Sequence, residues 1–118
     1  MKSTLFINTR GPYTTPAAQE ALDAALASAA FGVPVGLLFM GDGVFQITDR
    51  QHPDPAWFKR TCAQFQSLEL YDINAVYVRH EDLLTRGLGP ENLAIPCETV
   101  GDPQIQALLA RYDNLLSF

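Results

Sequence analysis

Cations are scarce in this 118-residue chain: eight Lys and Arg stand against thirteen Asp and Glu, a formal net charge of −5. The cations are scattered, and neutralising nucleic-acid phosphates needs them clustered, so no direct nucleic-acid contact is expected. Cysteine is equally rare. Cys62 and Cys97 are the only two, and no C-x-x-C or Cys/His spacing accompanies them, which excludes a disulfide framework and a zinc motif. No apolar run approaches the roughly 20 residues needed to span a bilayer. The opening Met1-Lys2-Ser3-Thr4-Leu5-Phe6-Ile7-Asn8 is too short in apolar residues for a signal peptide. Neither G-x-G-x-x-G nor a Walker-type lysine is present. The expectation is one cytoplasmic domain over residues 1–118, without membrane contact, metal or cofactor.

What is present reads as alternating strands and helices. Ser3–Asn8 is a short apolar strand, followed by a turn-rich loop, Thr9-Arg10-Gly11-Pro12-Tyr13-Thr14. Thr15-Pro16 opens a helix, since a threonine caps well and a proline at the first helical position lacks an N–H that would be unpaired anyway. Ala18, Leu22, Ala25, Leu26 and Ala29 form its apolar stripe, and Gly32 ends it. Val33–Met40 is a second strand, apolar on both faces. Asp54-Pro55 repeats the capping device before a helix with Phe58, Cys62 and Phe65 on one side. Asn74–Val78 is a third strand, followed by a short helix through Leu83-Leu84 that Gly87 terminates. A fourth strand is expected within Leu93–Val100, made irregular by Pro96. Asp102-Pro103 opens the last helix, with Ile105, Leu108, Leu109 and Tyr112 inward, and Asn114–Phe118 is a fifth strand. This order predicts an α/β fold: a three-layer α/β/α sandwich on a five-stranded, mainly parallel sheet with right-handed crossovers. Strand order is not readable from the pattern.

Several stretches invite chemistry. Ligands of parallel sheets are met at the carboxyl ends of strands, and there the second strand runs into Asp42-Gly43-Val44-Phe45-Gln46. Asp42 resembles the carboxylate of a receiver domain, but the acidic pair and lysine that such a domain needs are missing. Thr9–Thr15 precedes a helix N-terminus and is a candidate phosphate cradle of the flavodoxin-like kind. Arg79-His80-Glu81-Asp82 follows the third strand; His80 and Glu81 suit a base and its orienter, while a solvated helix-capping cluster needs nothing further. Cys97 or Cys62 is a candidate persulfide thiolate, against the alternative of a buried, inert thiol.

Asp42-Gly43-Val44-Phe45-Gln46, Leu70-Tyr71-Asp72, Leu83-Leu84-Thr85-Arg86-Gly87-Leu88 and Tyr112-Asp113-Asn114-Leu115-Leu116-Ser117-Phe118 together resemble the DsrE/DsrF family, most closely its TusC/DsrF subunit type. The likeness covers essentially the whole chain. It implies a DsrEFH-like fold and assembly with TusB-like and TusD-like subunits into a heterohexamer, or self-assembly. It further implies indirect contact with TusA- and TusE-type carriers, as persulfide sulfur passes towards 2-thiolation of the tRNA wobble uridine; related complexes serve sulfur oxidation. In the family's sulfur-carrying subunit the persulfide cysteine lies near the end of the strand before the short Arg-Gly-terminated helix. Here that place reads Val76-Tyr77-Val78-Arg79-His80, so the resemblance implies a non-catalytic subunit. Asp42, Gly43, Val44, Phe45, Gln46 and Phe118 are then candidate partner contacts; the alternative is that Val44, Phe45 and the chain's end tuck into its own core.

Overall fold

Two apolar strands side by side form the centre of the molecule. The computed structural model describes residues 2–11, 17–48, 67–68, 70–93 and 95–118. Strand β1 (Thr4–Asn8) pairs with β2 (Val35–Phe39), and the rest follow as β3 (Ala75–Arg79), β4 (Glu98–Val100) and β5 (Asn114–Ser117). All pairings are parallel, in the order β4-β3-β2-β1-β5. All five residues of β2 are buried, as an inner strand covered on both faces requires.

This order, with right-handed crossovers, decides which face each helix takes. From β1 to β4 the chain steps one strand at a time in one direction, so right-handed crossovers place the helices that follow β1 and β3 on one face. The step from β4 to β5 returns across the whole sheet, so its helix must lie on the other face.

The core divides accordingly. Helix α1 (Ala17–Ala30) and helix α2 (His80–Thr85) cover Phe6, Leu37, Phe39, Val76 and Val78 with Leu22, Ala25 and Leu83. Helix α3 (Asp102–Arg111) covers Leu5 and Leu38 with Ile105 and Leu108. Alternate residues of the same strands thus serve opposite layers. The three-layer, five-stranded expectation holds, and the sheet is wholly parallel.

The turns use the residues the sequence marks for them. Gly32 and Gly87 sit at φ +83° and +70°, the left-handed conformation that ends a helix. The fourth strand is shorter than expected, only Glu98–Val100, because Leu93 is drawn instead into an antiparallel bridge with Thr48. Leu109 lies on the solvent side of α3, while Ile105 and Leu108 face inward. The helix expected around Phe58, Cys62 and Phe65, and the Thr15-Pro16 cap, lie outside the described residues. Among those described, no helix is long and apolar enough to cross a membrane.

Candidate functional site at the carboxyl edge of the sheet

The carboxyl ends of β1, β2 and β3 converge on one ion-pair cluster. After β2, the six residues Gly41–Gln46 form a 3-10 turn. Gly41 adopts φ +52° and its N–H donates to Asp82 Oδ2 at 2.8 Å, fastening the turn to α2. Gly43 lies so close to β1 that an added Cβ would overlap the carbonyl oxygen of Asn8 and come within 2.6 Å of its carbon. Val44 is fully buried in the core of the α1 face, while Phe45 packs half-buried against it. The Gln46 side chain is also buried and donates from Nε2 to the Arg10 carbonyl at 2.8 Å, so the turn also holds the loop after β1. Of this turn, Asp42 is the exposed residue, with Phe45 beside it.

Arg79 occupies the end of β3, the place the resemblance reserves for a persulfide cysteine in the sulfur carrier. Its guanidinium donates to Asp102 at 2.9 Å, Asp82 at 3.0 Å and Glu81 at 3.0 Å. Arg86 donates to Asp42 at 2.9 Å and to the Asp82 backbone carbonyl at 3.2 Å, and its guanidinium lies 5.9 Å from the centre of the Phe45 ring. Asp82, 14% exposed, is the hub between the two arginines. The arginines are 22% and 23% exposed, whereas Asp42, Glu81 and Asp102 are 65%, 64% and 56% exposed. The cations therefore sit inside and the carboxylates outside. Arg79 is thus already matched by three carboxylates, and the two arginines of the cluster face four carboxylates, Asp42, Glu81, Asp82 and Asp102.

The hydrogen bond to Arg79 holds the Asp102 carboxyl below the usual carboxylate range, and Asp102 in turn holds Arg79 in its cationic form. The sign is definite. A carboxyl with a depressed folded-state pKa contributes stability above its unfolded value, and this is lost as pH falls through the folded one. Arg79→Met is therefore expected to flatten the fall of the urea midpoint below about pH 4 and leave its shape near pH 7 unchanged. An acid limb as steep as the parent's would show that the pair does not couple to folding.

Cys97 lies elsewhere. It precedes β4, at the amino end of the sheet, in a shallow groove with Asn74, Ala75, Tyr77, Pro96 and Glu98. Burial pushes its thiol up to about 11, so at neutral pH it is protonated and a poor nucleophile. Cys62 falls outside the described residues. Thr9 directs both its N–H and its hydroxyl to the Phe118 carbonyl, each at 3.0 Å, which leaves neither donor for a phosphate. Residues 12–15 of the Thr9–Thr15 cradle lie outside the described residues. His80 is exposed at the start of α2, and no hydrogen bond joins it to Glu81, whose carboxylate is taken by Arg79. The chain's last residue closes over β1: the Phe118 ring stacks on Phe6 with centres 6.1 Å apart and planes inclined by 21°.

One element here escapes sequence reading. On the α3 face, an added Cβ at Gly36 of β2 would collide with the Tyr112 hydroxyl and lie 2.7 Å from its Cζ. Arg111 beside it donates to the Tyr77 hydroxyl at 3.1 Å and lies over the Tyr112 ring at 5.4 Å. Burial raises the Tyr112 hydroxyl above its ordinary pKa. A glycine inside an apolar strand is the one signal for such a close approach.

A family model described as the DsrE/DsrF-like family matches residues 2–118. The chain is 40% identical over 116 residues to a protein named TusC homolog from Pseudomonas aeruginosa, covering 98% of each. It is 33% identical over 119 residues to the protein TusC of Klebsiella pneumoniae subsp. pneumoniae, covering 100% of each. Among solved structures, the YchN protein of E. coli superposes with a TM-score of 0.82 at 18% identity, over the whole of both chains. A conserved protein of unknown function from Bacteroides thetaiotaomicron gives 0.65 at 16%, over 98% of this chain and 95% of that one. At such identities the two structures speak for the fold alone.

Proposed function

Since the chain belongs to the DsrE/DsrF-like family, we propose that it is the TusC-type subunit of a sulfur-relay complex, which passes persulfide sulfur towards 2-thiolation of the tRNA wobble uridine. Full-length likeness to proteins named TusC supports the assignment. The single observation that carries the subunit's role is Arg79. At the end of β3, where the sulfur-carrying subunit needs a thiolate, this chain holds a guanidinium closed off by Asp82, Glu81 and Asp102. The chain therefore contributes structure and partner contacts rather than a persulfide.

Its partners in this reading are TusB-like and TusD-like subunits in a heterohexamer, with TusA- and TusE-type carriers met only through them. The complex works in the cytoplasm, away from membranes, and the outward carboxylates suit a subunit that does not touch the tRNA itself. Asp42 and Phe45 are contact residues at the carboxyl edge, and Gly43, Val44 and Gln46 set the turn that presents them. Phe118 acts beside them through its stacking on Phe6.

Co-expressed with TusB-like and TusD-like subunits, the chain is expected to purify as a stoichiometric complex. A Cys62→Ser/Cys97→Ser chain is expected to enter that complex and to sustain sulfur transfer to tRNA at the parent rate. Loss of transfer on changing Cys97 alone, with the complex intact, would make the chain a carrier and overturn the assignment.

A further inference from the structure

The two edges of this sheet are built differently. Edge strands normally carry devices against pairing with other chains: shortness, charge, proline or a covering element. The β4 edge has three of these, with only three residues, Glu98 exposed on it and Pro96 just before it. The β5 edge has only its shortness, at four residues. Asn114-Leu115-Leu116-Ser117 carries no charge and no proline, and all four residues are exposed. Leu115 and Leu116 are 45% and 46% exposed although they point to opposite faces, beside the buried Leu5 and Phe6 of β1.

The backbone of β5 is half used. Asn114 donates to the Ser3 carbonyl and Phe118 to the Ile7 carbonyl, while Thr9 donates to the Phe118 carbonyl. In a parallel ladder the groups turned towards the neighbour belong to alternate residues, here 114, 116 and 118. The N–H and C=O groups of Leu115 and Ser117 therefore point away from β1, with no partner among the described residues.

We propose that β5 pairs with β5 of a second copy of this chain, antiparallel across a two-fold axis at Leu116, making one continuous ten-stranded sheet. Antiparallel pairing is the arrangement a two-fold imposes on an edge strand. Placed at Leu116, the axis sets Leu115 opposite the partner copy's residue 117 and Ser117 opposite its residue 115. All four outward groups of each strand are then satisfied, and the two copies' residues 116 meet as a close non-hydrogen-bonded pair. A second copy fits because the strand is uncharged: a chain of net charge −5 meets its twin here without apposed charges. The other parallel-sheet solution, β5 on a neighbour's β4, would bring in Glu98 and repeat head-to-tail without closing.

The size of the edge sets the strength. Four residues span about 13 Å, and the contact falls well short of the roughly 800 Å² per partner of a standard interface. The pairing is therefore weak and reversible on its own, and it stands apart from the subunit assignment above.

Sedimentation velocity of the isolated full-length chain is the test. The expected result is a monomer–dimer equilibrium across roughly 1 to 100 µM, with no larger species. Leu116→Arg, which sets like charges against each other on the axis, is expected to leave only monomer with the melting transition retained. Ser117→Pro removes an outward N–H while sparing the inner ladder, and should do the same. A parent that stays monomeric throughout, a dimer indifferent to both variants, or species that grow beyond two copies would each overturn the proposal.

Discussion

Gly43→Ala is expected to be the most damaging single-methyl change at the carboxyl edge, costing about 3 kcal/mol, the upper part of the range for overpacking. The reason is the identity of what the methyl meets. Its Cβ would overlap the carbonyl oxygen of Asn8 and stand 2.6 Å from the carbonyl carbon, both backbone atoms of an inner strand. A side chain there would swing aside; β1 cannot, because Asn8 also receives the Met40 N–H at 3.0 Å and is paired with Phe39. The turn must therefore lift, which pulls Val44 out of the core and breaks the bonds from Gly41 to Asp82 and from Gln46 to Arg10. The measurement is a urea denaturation midpoint, with amide exchange at Gly41 as the local readout. Gly41→Ala is the contrasting control: it is strained through its φ of +52°, yet it has space, its nearest neighbour being the Thr9 carbonyl at 3.6 Å. If Gly43→Ala costs less than Gly41→Ala, the close approach to β1 is not what the glycine is for.

Gly36→Ala is expected to cost about 2 kcal/mol, and the cost should depend on Tyr112. The added methyl collides with the Tyr112 ring end, a group that can be removed by mutation, unlike the backbone at Gly43. In a Tyr112→Leu background the same glycine change is expected to cost under about 1 kcal/mol, giving a coupling of roughly 1 kcal/mol or more in the double-mutant cycle. Additive effects would mean that Leu5, whose Cδ1 lies 3.1 Å from the built Cβ, sets the limit instead. The cycle also bears on α3, because Tyr112 follows its last turn and Arg111 ties that turn to Tyr77. Loosening Tyr112 should expose the Ile105 and Leu108 face before the rest of the sheet unfolds.

The sequence by itself determined the class of fold and the identity of most turns. Continuous apolar runs at Leu5–Ile7 and Leu37–Phe39 can be buried only between two layers, and helical spacing between such runs compels parallel crossovers. Gly32 and Gly87 were legible because a left-handed residue ending a helix has a local cause. The tertiary structure alone decided the rest. The order β4-β3-β2-β1-β5 depends on how far each crossover travels, which local spacing does not record. It puts β5 at an edge of the sheet and so leaves Leu115 and Leu116 exposed. Leu108 and Leu109 are indistinguishable by type, and only the placement of α3 over Leu5 and Leu38 turns one inward and the other out. Arg79 reads from its neighbours as a loose acidic cap. It becomes a closed ion-pair centre only because α3 begins beside the end of β3 and brings Asp102, 23 residues away in sequence, to 2.9 Å. Gly36 and Gly43 look alike as glycines near apolar residues. Their meaning lies in Tyr112 and Asn8, far along the chain, since what excludes a methyl group is whatever folding places against it.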